Sequence, residues 1–301
     1  MDKPVPDDLG LWTLARQTAK AIVPLYQPAF EQFKTSRKID DWTIGILMSA
    51  LSFEPQPISP ALLSIRGPYT SAEAYLNKLK SAAERDFLIE IDPGKFHLTA
   101  QGRLDIQNLM DQGRTLMADS DPLAPDESQR LAGLLDHLAR ACLDETSPPG
   151  KWCVRHAWKL MPHPEPPLPY MEQAFSCLSA YRDDAHLAAW QASGLSAVAL
   201  EALTCLWRAE VDSLETVNQK LSYRGHPSAV YSNAVIQLRK LELIAGADHS
   251  LRLTVHGQAV RDQIEQTTDE YFFKPWSSLN EEQKAELANL LQHLNGLLQE
   301  N

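Results

Sequence analysis

The chain has 301 residues, 44% hydrophobic and 22% charged, with a formal net charge of −11. That balance is that of a folded globular protein; it excludes a disordered or collagen-like chain, and the length favours two domains of ordinary size. No apolar run reaches the ~18 residues of a membrane span, Ile44 to Leu51 being about the best, and the acidic start Met1 to Asp8 lacks the basic and apolar parts of a secretory leader, so a cytoplasmic location is expected.

In chain order, Trp12 to Tyr26 is a helical run. Asp40 or Asp41 can cap the next helix, Trp42 to Leu51. Pro60 to Ile65 reads as a short helix and Arg66-Gly67-Pro68 as a turn; Ser71 to Asp86 is the following helix. Phe87 to Ile91 and Phe96 to Thr99 read as two strands around Asp92-Pro93-Gly94-Lys95. A late helix places Leu131, Leu134, Leu135, Leu138 and Cys142 on one face. Thr146 to Tyr170 holds seven of the 20 prolines, which marks a stiff spacer, and its Trp152, Trp158 and Tyr170 suggest a spacer packed on the surface. Beyond it, Ser196 can cap Ala197 to Trp207, and Leu214 to Leu221 reads as a short helix. Arg224-Gly225-His226-Pro227 is a turn and Ser228 to Leu241 a helix. A hairpin then turns at Ala247-Asp248-His249, and Leu287, Leu290, Leu291, Leu294 and Leu298 form a final apolar face.

The second series echoes the first. Leu98-Thr99-Ala100-Gln101-Gly102 returns as Leu253-Thr254-Val255-His256-Gly257, and Leu88-Ile89 as Leu243-Ile244, both at an offset of 155. Leu131 to Leu138 returns as Leu287 to Leu294 at 156. An offset held this closely reads as a duplicated unit: residues 1–145, a proline-rich linker at 146–170, and residues 171–301.

Helix, turn, helix and a two-stranded wing make a winged helix-turn-helix. The run Leu238 to Ile244 followed by Arg252-Leu253-Thr254-x-x-Gly257 resembles the reading helix and wing of the MarR family of bacterial transcriptional regulators. Ser278 to Glu282, opening a leucine-rich last helix, is similar to that family's dimerisation helix, and Arg66 to Gly102 repeats the pattern. The resemblance implies a mainly α fold, with two tandem winged units whose first and last helices interlock as an intramolecular pseudo-dimer. It also implies a small aromatic ligand between the interlocked helices and a winged unit. Both hairpin turns are short, and the second keeps only Arg252 near its base.

Charge supports a nucleic-acid reading. Residues 58–104 carry net +1 and residues 213–262 net +2, on a remainder of −14. Mildly basic heads on an acidic body suit contact with phosphate at the heads alone. Candidate reading residues are Asn77, Lys78, Ser81 and Arg85 on the first helix, with Ser232, Asn233, Ile236 and Lys240 matched to them on the second and Gln237 alongside. Asn and Gln pair with adenine, Arg and Lys with guanine or phosphate. Thr70, Ser71 and Ser228 at the helix starts offer donors to phosphate; Lys95 and Arg252 lie on the wings.

Other chemistry is weak. Cys142, Cys153, Cys177 and Cys205 form no CxxC, so neither a disulfide framework nor a zinc site is expected, and Cys153-x-x-His156 with His163 is too sparse for a metal. No Gly-rich phosphate loop, GxSxG or HExxH occurs. The expectation is a monomeric, cofactor-free, non-enzymatic regulator, most simply a repressor, binding double-stranded DNA at an asymmetric, pseudo-palindromic site. The alternative is a winged-helix protein-interaction module that does not bind DNA.

Overall fold

The computed structural model describes residues 6–300; residues 1–5, part of the segment read as having no leader, lie outside it. The first half runs α1 (Asp8–Arg37), α2 (Asp41–Phe53), α3 (Pro60–Arg66), α4 (Ala72–Glu84), β1 (Leu88–Asp92), β2 (Lys95–Leu98), α5 (Ala100–Asp119) and α6 (Pro125–Asp144). After α7 (Cys153–Trp158), the second runs α8 (Pro167–Gln191), α9 (Ala197–Trp207), α10 (Leu214–Lys220), α11 (Ser228–Lys240), β3 (Ile244–Ala245), β4 (Arg252–Leu253), α12 (Val255–Phe273) and α13 (Glu281–Glu300). The chain is mainly helical, with two small antiparallel hairpins, and the element order of the first half recurs in the second.

Local chemistry sets these boundaries. Asp40, Ser71 and Ser196 accept backbone N–H bonds from the first turns of α2, α4 and α9, as side-chain caps do. The helix α1 outruns its predicted end at Tyr26 and continues past Pro24 and Pro28 to Arg37.

The paired Leu-Thr-x-x-Gly runs do the same work in both halves. Thr99 Oγ1 accepts from the N–H of Gly102 and donates to the carbonyl of Asp86; Thr254 Oγ1 accepts from Gly257 and donates to Glu242. Asp86 and Glu242 both hold positive φ, 63° and 58°, where the chain leaves the preceding helix. A Cβ on Gly102 would sit 2.1 Å from the carbonyl oxygen of Phe87, and one on Gly257 2.0 Å from that of Leu243. Only glycine fits so close a backbone approach. Phe87 therefore stands where Leu243 does, an offset of 156, and the earlier pairing of Leu88 with Leu243 is one residue out. The second hairpin is a residue shorter, which restores 155 at Thr99 and Thr254.

The last helix of each half packs on the first helix of the other: α6 lies on α8 and α13 on α1. Thr18 Oγ1 donates to the carbonyl of Leu291 across the second of these contacts at 3.3 Å. Leu131, Leu135, Leu138, Leu287, Leu291 and Leu294 are buried in one core with residues of α8, α9, α11 and α12. A separate core, including Ile44, Leu47, Phe53, Leu79, Phe96 and Ile106, fills the first winged segment.

The proline-rich stretch is structured rather than a bare spacer. The carboxylate of Asp184 accepts from the N–H groups of Trp152, Cys153 and Val154 at 2.8–3.0 Å, which fixes the start of α7. The buried Lys151 ammonium donates to the carbonyls of Cys142, Leu143 and Glu145, closing the C-terminus of α6. Among the described residues no helix is long and apolar enough to cross a membrane.

Candidate nucleic-acid interface

The helices α4 and α11 each precede one of the two hairpins, and their starts are sewn together. The N–H of Ser71 donates to the carbonyl of Arg224 at 2.9 Å, and His226 Nε2 lies 2.8 Å from the carbonyl of Tyr69. The Arg224 guanidinium bonds Glu201 at 2.6 and 2.8 Å and reaches Thr70 Oγ1 at 3.4 Å. A Cβ on Gly225 would fall 2.7 Å from that of Ala74. Arg66 pairs with Asp183 at 2.6 Å and Tyr69 with His186 at 3.1 Å, extending the clasp onto α8.

This clasp corrects one expectation: Thr70 is buried and bonded to Arg224, away from any phosphate. Ser71 caps α4 through its hydroxyl oxygen and spends its N–H on the carbonyl of Arg224, while its hydroxyl proton stays free to donate.

On α4 the candidate cations are committed elsewhere. Lys78 pairs with Asp40 at 2.5 Å and lies over the Trp42 ring; the pair, with the Thr43 bonds, holds the Asp40 carboxyl down to about 2 despite the cost of partial burial. Arg85 turns back to donate to the carbonyls of Arg37 and Lys38, capping the C-terminus of α1. The reason lies in register. Tyr75, Leu79 and Ala82 are the buried positions of α4; Tyr231, Val235 and Leu238 of α11 answer to them at an offset of 156, with Ala234 buried in addition. At that offset Lys78 answers to buried Ala234 and Arg85 to Leu241, so the earlier matching by 155 was one residue out. Asn77 answers to Asn233; both are exposed. Ser81 is half-buried, and the outward side of α4 also carries Glu73, Lys80 and Glu84.

The outward side of α11 is different. The helix has no acidic residue. Ser228, Asn233, Ile236 and Lys240 are exposed along it, and exposed Arg252 stands on β4 nearby in the wing. Neither Asn233 nor Lys240 nor Arg252 makes a side-chain hydrogen bond or ion pair among the described residues. Two further candidates are partly engaged: Ser232 donates back to the carbonyl of Ser228, and the Gln237 side-chain carbonyl oxygen accepts from Ser196. On the first wing, exposed Lys95 sits 3.5 Å from Asp92 in a loose surface pair.

All four cysteines are buried, and burial pushes the thiols of Cys142, Cys153, Cys177 and Cys205 up, against any role as a reactive thiolate.

A cavity of about 550 Å³ opens between the first winged segment, α7 and α8. Trp42, Phe53, Trp152, His156 and Phe175 line it, and Glu172 lies at its border with a smaller cavity of about 190 Å³ beside Tyr26 and Arg114. Burial raises the Glu172 carboxyl to about 7, against the pull of Arg114 and the Tyr26 hydroxyl.

A model of a helix-turn-helix family matches residues 109–301, about two thirds of the chain. The chain belongs to that helix-turn-helix family, and the match takes in α9, α10 and α11 while leaving α2 to α4 outside. No curated protein and no solved structure matches it. A helix-turn-helix fold points to DNA as a partner.

Proposed function

We propose that this chain is a non-enzymatic, MarR-like transcriptional regulator formed by duplication of a winged-helix unit, and that its C-terminal unit alone reads double-stranded DNA. The observation that carries this is the free, acid-free outward side of α11, with Lys240 at its end and Arg252 on the adjoining wing. Helix α4 offers Glu73 and Glu84 beside exposed Lys80 on its outer side and spends Lys78 and Arg85 on the protein itself. The recurring element order, the paired glycine contacts and the reciprocal packing of α6 and α13 support the duplication and the pseudo-dimer. A chain that meets its own dimerisation need is a monomer.

Filter binding of genomic promoter fragments across a salt series tests the reading. Phosphate contacts release counterions, so affinity should fall steeply with salt and span a footprint of one reading helix. Salt-insensitive or absent binding would favour the protein-interaction module instead.

The aromatic walls of the 550 Å³ cavity favour a small aromatic effector there. A Cβ at Gly45 would meet nothing within 4 Å, and Gly45 borders this cavity, so Gly45→Phe should fill it and abolish binding of an aromatic fluorophore such as anilinonaphthalene sulfonate.

A further inference from the structure

We propose that α11 reads an A·T-containing site, with Ile236 against a thymine methyl group and Asn233 on a neighbouring adenine. This rests on the reading of α11 as the DNA-facing helix and names what that helix selects. Ile236 is 59% exposed in the middle of α11. The fold does not require an apolar residue at that position: at the offset of 156 the corresponding residue of α4 is the exposed Lys80. An isoleucine held out from the centre of a reading helix has one apolar group to meet in the major groove, the C5 methyl of thymine.

The rest of the outward side agrees. Asn233 lies one turn before Ile236 on the same side, as the i, i+3 spacing requires. Its amide is exposed and makes no side-chain hydrogen bond among the described residues, so both its donor and acceptor are available to the N7 and N6 of adenine. The usual guanine reader is missing from the centre. Arg239, the single arginine of α11, turns to Asp248 at 2.8 Å and to the carbonyl of Gly246 at 3.1 Å. Lys240 stands at the C-terminal end, suited to phosphate rather than to a central base. Gln237 and Ser232 are held by Ser196 and by the backbone.

The test begins with selection of duplexes from a random library by the full chain. In the enriched site, each thymine is then replaced singly by deoxyuridine, which removes the C5 methyl and leaves the pairing edge intact. One such replacement should weaken wild-type binding by about five-fold or more, within the discrimination a single base contact supplies. The same replacement should leave Ile236→Ala unaffected. Asn233→Ala should lose its preference at an adjacent adenine and keep the thymine-methyl effect. A site with G·C pairs at its centre, or one whose uridine versions all bind wild type as tightly as the parent, would overturn the assignment while leaving DNA binding standing. Failure to enrich any duplex would overturn the DNA reading and this inference together.

Discussion

Replacing Leu291 with alanine should loosen the far half of the chain as much as its own. Leu291 is fully buried on α13, in the core that also holds Leu11, Trp12, Ala15 and Ile22 of α1, and its carbonyl takes the Thr18 hydroxyl bond. A buried Leu→Ala change removes the transfer energy of the lost methyls and leaves a cavity, about 2–5 kcal/mol together. That is smaller than a typical stability of ~5–15 kcal/mol, so the variant still folds; Leu291→Asp, with its unpaired buried carboxylate, should not. By the usual entropy of unfolding per residue, the loss lowers the Tm of a chain this long by about 3–8 °C. In hydrogen exchange read by mass spectrometry it corresponds to protection reduced by roughly thirty-fold to several thousand-fold wherever opening is shared. Peptides from α1, some 270 residues away in sequence, should show the loss along with those of α13. Leu135→Ala on α6 should do the same to α8. Independent halves joined by a spacer require the opposite: faster exchange confined to residues 167–300 for Leu291→Ala, with α1 unchanged. That result would sink the interlocked arrangement.

Lys240→Ala and Arg252→Ala should each weaken DNA binding and flatten its dependence on log salt by about one, whereas Lys78→Ala should leave that slope unchanged, because its ammonium is already paired with Asp40. Gly102→Ala and Gly257→Ala should both lower stability by several kcal/mol, on the order of the largest single-residue effects, because the new methyl meets a backbone carbonyl; urea titration measures this, and a loss under ~1 kcal/mol would contradict the contact. Burial, with Arg261 and Arg182 beside it, holds the His186 imidazole down at about 4. The unfolded chain therefore takes up a proton that the folded one refuses, and stability falls as pH drops from about 6.5 towards about 4, by about 3 kcal/mol in full. Urea midpoints at pH 7 and pH 4.5 should show that His186→Asn removes this part of the acid loss.

Helix identity and order were readable from period and caps, because Asp40 and Ser196 act on residues three positions away. The Leu-Thr-x-x-Gly runs were readable for the same reason: their work is local, a cap and a close backbone contact. What stayed hidden depends on distant partners. Nothing near Lys78 in sequence reveals that Asp40 and Trp42 will take its charge, and nothing near Arg85 reveals the free carbonyls at the end of α1. The Ser71–Arg224 clasp joins residues over 150 positions apart, so Thr70 looked like a phosphate ligand until the two turns met. The register of α4 against α11 was off by one because the shorter second hairpin shifts the offset, and one residue on a helix turns a side chain by about 100°.

On the proposed monomeric reading, the reciprocal packing of α6 on α8 and α13 on α1 would free this molecule from the law of mass action that governs a two-subunit regulator. A homodimer falls apart on dilution, and every change on one of its heads is copied onto the other. In the proposed monomer neither would hold, since both halves ride on one polypeptide: a cell could keep the protein at a few copies without losing the folded form, and each half would be free to change by itself. At matched positions of α4 and α11 the side chains already differ: Lys80 against Ile236 and Glu84 against Lys240.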